Sequence, residues 1–159
     1  MIKLIAQAAL AVALAGCALN TTVLRPGQSE AQVRAAMGEP TGRYQLPSGG
    51  ERLEYALGPY GRATWMVDLD ERGQVSRWAQ VLQDSYFAQI RDGMSREELL
   101  LLLGRPANRA PEWQNRETWS WRFETYRCEW LRVTLSAQQR VLGGGSIMTD
   151  PMCDKLDRE

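Results

Sequence analysis

The chain has no histidine in 159 residues. That excludes a Ser-His-Asp or Cys-His catalytic unit and any histidine-ligated metal site. Lysine is scarce as well, with only Lys3 and Lys155 against seventeen arginines. There is no excess of either charge: 19 basic and 19 acidic side chains cancel. A dedicated DNA or RNA binder would carry a basic surplus, so that class is set aside. No hydrophobic run is long enough to cross a bilayer, which takes ~20 apolar residues. Cysteine is limited to Cys17, Cys128 and Cys153, and phenylalanine to Phe87 and Phe123. The bulk composition is ordinary, 44% apolar and 24% charged, enough for one domain or two small ones with a core.

The N-terminus reads as an export signal. Met1-Ile2-Lys3 is a short positive start, and Leu4 to Leu14 is apolar apart from Gln7. Small residues follow in Leu14-Ala15-Gly16-Cys17, the pattern of a removed signal peptide over residues 1–16. Those four residues resemble the bacterial lipobox. The resemblance implies diacylglyceryl attachment to the Cys17 thiol, cleavage before Cys17 and acylation of the new amino terminus. Ala18 stands where an inner-membrane retention signal would place aspartate, which implies the outer membrane, with the domain in the periplasm. Residues 17–23 are then lipidated N-terminus and tether. Cys128 and Cys153 remain, and an even pair in an oxidising compartment reads as a disulfide, with two buried thiols as the alternative.

The sequence repeats at an offset of 66. Arg25-Pro26-Gly27-Gln28-Ser29 meets Arg91-Asp92-Gly93-Met94-Ser95, and Gly38-Glu39-Pro40 meets Gly104-Arg105-Pro106. Val67, Leu69 and Val75 meet Val133, Leu135 and Val141. The matches fall at turn, cap and core positions, where a shared fold puts them. Two units follow, 24–82 and 83–148, with a tail over 149–159.

Each unit opens on a helix. Ser29-Glu30-Ala31-Gln32 and Ser95-Arg96-Glu97-Glu98 fit the capping box. Gly38 and Gly104 end the helices, and Pro40 and Pro106 prevent their resumption. Leu99 to Leu103 is apolar on every side, which predicts fuller burial for the second helix. A shorter helix over Asp84 to Ile90 leads into the second unit. Strands follow with period two: Leu53, Tyr55 and Leu57 oppose Arg52, Glu54 and Ala56, and Trp119, Trp121 and Phe123 oppose Thr118, Ser120 and Arg122. In the next strands Trp65, Val67 and Leu69 face the core, with Thr64, Met66 and Asp68 on the other face. Asp70-Glu71-Arg72-Gly73 is a hairpin turn. A last strand runs from Gln74 to Leu82, and its second copy, Arg140 to Met148, contains Gly143-Gly144-Gly145, the mark of a bulge or a close backbone approach. The fold class is α+β, with two tandem units of helix, helix and a three-stranded antiparallel sheet. One face of each sheet packs on helices and the other stays available.

The stretch Gly93-Met94-Ser95-Arg96-Glu97-Glu98-Leu99 through Leu103-Gly104-Arg105-Pro106 resembles the opening motif of the BamE (SmpA/OmlA) family. So does Gly27-Gln28-Ser29-Glu30-Ala31-Gln32-Val33 through Met37-Gly38-Glu39-Pro40. Val67-Asp68-Leu69-Asp70-Glu71-Arg72-Gly73-Gln74-Val75 is similar to that family's last hairpin. The resemblance implies a small outer-membrane lipoprotein, accessory to the β-barrel assembly machinery and to envelope maintenance. The family has one module and a longer tether; here there are two modules and a short one. A tandem pair is also similar in architecture to the β-lactamase inhibitor protein, which implies, as the alternative, a periplasm-facing inhibitor or protein-binding module.

Chemistry-bearing motifs are wanting. Asp68-Leu69-Asp70-Glu71-Arg72-Gly73 fails as a calcium loop, because Arg72 takes a ligand position and Ala79 stands where the bidentate Glu belongs. Gly143-Gly144-Gly145-Ser146 lacks the Lys-Ser/Thr of a phosphate loop. No metal, cofactor or catalytic residue is expected, and the function class is binding, not enzymatic. Trp119, Trp121 and Trp65 read as core. Trp78 and Trp130 fall on the opposite face by alternation, and Trp130 with Arg132 and Arg122 has the composition of an interaction surface. The expected partners are the outer membrane through the lipid and an envelope protein, with no nucleic acid.

Overall fold

Two capping boxes, 66 residues apart, open the two halves of the fold. The computed structural model describes residues 24–58 and 61–151. The signal and tether assigned to 1–23, Cys17 among them, and Cys153 in the tail lie outside the described residues. In α1 (Glu30–Met37) the Ser29 hydroxyl accepts from the Gln32 amide and the Gln32 side chain accepts from the Ser29 amide at 2.8 Å. In α3 (Arg96–Leu103) Ser95 and Glu98 repeat the exchange, the latter bond at 2.7 Å. Gly38 and Gly104 end the helices at φ 81° and 78°, each amide donating 2.8 Å back to Arg34 or Leu100.

Further hydrogen bonds recur at the same offset. The Gly27 amide donates to Val75 O at 2.8 Å, and Gly93 to Val141 O at 2.9 Å. Val75 donates to Gln28 O and Val141 to Met94 O, both at 2.8 Å. Each helix is thereby stitched to the strand that ends its own half.

The fold is α+β, with two antiparallel four-stranded sheets. The first runs β1 (Gly42–Gln45), β2 (Glu51–Leu57), β3 (Ala63–Leu69), β4 (Val75–Gln80). The second runs β5 (Asn108–Glu112), β6 (Arg116–Arg122), β7 (Glu129–Leu135), β8 (Val141–Thr149). Three strands per sheet were expected. The additional ones, β1 and β5, have sequences Gly-Arg-Tyr-Gln and Asn-Arg-Ala-Pro-Glu, which carry no alternating apolar signal. They hold edge positions, where a proline and charges are tolerated because one side of the ladder has no partner. The helix expected over Asp84 to Ile90 is shorter, α2 (Asp84–Phe87), and continues as a turn.

The first core gathers Val33, Met37, Leu53, Tyr55, Val67, Leu69 and Val75 between α1 and its sheet. The second gathers Leu99, Leu103, Trp119, Trp121, Leu131, Val133 and Leu135 around α3. Met66, from the first sheet, belongs to this second core. Thr64, Met66 and Asp68, expected on an available face, are 1%, 3% and 9% exposed. The second half covers them. Arg52 grips Asp68 at 2.5 and 2.7 Å and donates to Leu101 O at 2.6 Å. Glu54, fully buried, accepts from the Arg105 amide at 3.2 Å. A Cβ at Gly104 would lie 2.9 Å from Glu54 Cδ and 3.0 Å from Met66 Cε, so glycine permits the close approach as well as the positive φ. The all-leucine run of α3 thus serves two sheets, its own and the neighbour's.

Candidate partner-binding surface

The face of the second sheet that corresponds to this covered one holds Trp130, Arg132 and Arg122. Register sets it: Trp130 lies opposite Arg122 and Met148, Arg132 opposite Ser120 and Ser146, while Leu131 and Val133 point into the core. The Arg122 and Arg132 guanidiniums sit 5.4 and 5.7 Å from the Trp130 ring centroid. Such cation–π contacts fix the indole in place and leave it half-buried.

The two arginines differ. Arg122 is ion-paired to Asp150, with side chains only 11% and 5% exposed. Arg122 is therefore a support for Trp130, not the open anchor expected from sequence. Arg132 is 29% exposed at its side chain, with a loose 3.6 Å pairing to Glu112. Its Nε is buried without a hydrogen-bond partner, a donor left over on this face.

Beside Arg132 opens a cleft of about 310 Å³, lined by Glu112, Trp113, Arg116, Thr118 and Thr134 among others. Thr118 and Thr134 join hydroxyls at 3.1 Å across its floor. Trp113 is 84% exposed. It begins a turn, Trp113–Asn115, in which Gln114 and Asn115 take positive φ of 61° and 55°. Sequence reasoning passed over Trp113; the signal was an aromatic inside the polar run Glu112-Trp113-Gln114-Asn115-Arg116, where no core period claims it.

Trp78 is not on this kind of surface. A bulge between Asp68 and Leu69 leaves Ser76 unpaired, so Trp78 comes opposite Val67 and packs on the first core. The extra residue shifts the alternation by one, which moves the indole to the inward face. Cys128 is disulfide-bonded, at φ 52°, and its carbonyl accepts from the Asp150 amide at 2.8 Å.

A second feature was illegible in the sequence. The buried Glu54 carboxylate accepts from the Tyr44 and Thr41 hydroxyls and the Arg105 amide. It walls a cavity of about 210 Å³ between the halves, with Arg105, Trp121 and Arg122 also lining it. Burial and the Glu54 charge push the Tyr44 hydroxyl well above the usual tyrosine range. Every donor of this constellation is satisfied within the protein, which makes it an adhesive between halves.

No family model and no curated protein matches the chain. A structure described as that of an osmotically inducible lipoprotein, OsmE, is similar at 25% identity over 36% of this chain, with a TM-score of 0.34. The match spans 63% of that protein's length, under two thirds. An extracellular protein containing a SCP domain from Bacillus anthracis str. Ames is similar at 12% identity, over 94% of this chain and 50% of its own, with a TM-score of 0.34. Overlap this loose transfers neither a fold nor a role from either protein to this chain.

Proposed function

We propose that the protein is an outer-membrane lipoprotein, anchored through Cys17, that works by binding an envelope protein on the face of its second sheet that carries Trp130 and Arg132. The observation that carries the reading is Trp130, with the Arg122 and Arg132 guanidiniums 5.4 and 5.7 Å from its ring centroid, on a face whose counterpart in the first half is already occupied. Aromatic and arginine side chains dominate binding energy at protein interfaces, and exposed Trp113 adds a second aromatic beside the same cleft. The resemblance of both helix openings to the BamE family supports a subunit of the β-barrel assembly machinery as the partner, and two tandem BamE-like modules as the architecture.

The test pairs capture with stability. Trp130→Ala and Arg132→Glu weaken recovery of barrel-assembly subunits from solubilised membranes and leave the melting temperature nearly unchanged. Trp121→Ala, which empties a core site 1% exposed, destabilises by about 3–5 kcal/mol. Recovery of a soluble periplasmic enzyme in place of assembly subunits would transfer the function to the inhibitor class. Cys17→Ser abolishes palmitate labelling; labelling that persists removes the anchor from the proposal.

A further inference from the structure

We infer that the outer edge of β8 is a strand-addition seam on which a second copy of this chain pairs. Among the described residues four strands have an edge position: β1, β4, β5 and β8. Native edges are blunted by charge or proline, because an open row of amides and carbonyls templates further pairing. Three of the four follow that rule. β1 carries Arg43, β4 carries Arg77, and β5 carries Arg109, Pro111 and Glu112. β8 is the longest at nine residues, Val-Leu-Gly-Gly-Gly-Ser-Ile-Met-Thr, with neither a charge nor a proline. Its start is held at Val141 by Gly93 and Met94 and at Gly143 by Asp92, so the part offered for pairing runs from Gly145 to Thr149.

Its side chains are also the wrong kind for an edge left in water. Of the five exposed large hydrophobics among the described residues, three lie on β8: Leu142 at 37%, Ile147 at 47% and Met148 at 48%. The other two, Trp113 and Tyr126, lie outside strands. From Gly145 to Thr149 the register with β7 is unbroken, ending at the bulge that Gly143 and Gly144 create. That gives a regular ladder of roughly 17 Å. Ile147 lies opposite Leu131 and Met148 opposite Trp130, so an added strand meets an apolar neighbour on each face.

The composition selects a second copy as the occupant. A strand without charge meets itself without like-charge repulsion, and the whole chain is formally neutral. Antiparallel pairing about a two-fold axis at Ile147 sets Ile147 against its equivalent, Ser146 against Met148 and Gly145 against Thr149, small beside large. Two-fold pairs of this self-complementary kind are the commonest oligomers. The product is one continuous eight-stranded sheet.

The experiment uses the full chain in native membranes, with a photo-crosslinking amino acid at position 147 and, as control, at position 72 in the β3–β4 turn. The expected result is an adduct of twice the chain mass that contains only this chain, formed from position 147 and not from 72. Adding Ser146→Lys to the position-147 chain reduces the adduct by about tenfold, while the melting temperature stays close to that of the parent. No adduct, an adduct with a different protein, or an adduct undiminished by Ser146→Lys overturns the inference. The adduct is read at position 147, opposite Leu131 on the other face from Trp130, and without reference to partner capture, so a failed seam leaves the proposed binding face standing.

Discussion

Gln139 occupies a left-handed conformation, φ 58°, at the turn position where the first half has Gly73 at 72°. The same backbone bonds close both turns: Gly73 donates to Asp70 O and Gln139 to Ser136 O, both at 2.9 Å. A Cβ in that conformation crowds the neighbouring carbonyl, a cost that glycine avoids. Gln139→Gly is therefore expected to stabilise the protein by about 1 kcal/mol, read as a higher midpoint in urea. Trp78 makes the complementary point about legibility. Strict alternation places it outward, and only the unpaired Ser76 turns it inward. A bulge of one residue leaves no mark in composition. In the second half Gly145 stands opposite Val133, as Trp78 stands opposite Val67, and Ile90 Cδ1 would lie 3.0 Å from a Cβ built there. The glycine run does announce its bulge, because two of its members take positive φ.

At the scale of elements, both capped helices were readable, since Ser-x-x-Gln and Ser-x-x-Glu state the cap chemistry outright. β1 and β5 were not, because an edge strand with one free side needs no buried face to announce it. The caps also carry a pH dependence. The Ser95 amide donates to the Glu98 carboxylate and holds its pKa below the ordinary 4.5. The Arg43 guanidinium does the same for Glu30. A carboxylate with a lowered folded pKa contributes stability above its unfolded value and loses it as pH falls through the folded one. Glu98→Ala is thus expected to lower the melting temperature at neutral pH. The gap to the parent protein closes as the pH drops past 4.5 and on through the folded value. Melting curves of the two proteins across that range measure it.

For the whole molecule, the repeat at 66 residues was visible in the sequence, but the way the halves meet was not. Alternation can say that Glu54 and Met66 leave their own core; it cannot say that α3, from the second half of the chain, arrives to cover them. The nearest hint was the leucine run, too apolar for a helix with one buried side. Because Arg52, Glu54 and Met66 tie the first sheet to the second half, the chain is expected to unfold in one calorimetric transition. Glu54→Ala takes away the acceptor of the Tyr44 hydroxyl and the Arg105 amide and empties a fully buried site at the seam. The expected loss is about 2–3 kcal/mol, and calorimetry of the variant checks both its size and whether the single transition splits.

That shared helix has a consequence for how the chain is made. A polypeptide emerges from its amino end during synthesis, and an exported one does so again as it leaves the inner membrane. The first sheet can close as soon as β4 is out, but α3 has not yet appeared. For that interval the surface bearing Met66, Thr64 and the Glu54 carboxylate has no cover. The nascent protein passes through a stage with one finished core and one sticky, half-charged flank. A holdase that shields this flank until Leu103 has emerged would raise the yield of native protein more than any catalyst of later steps.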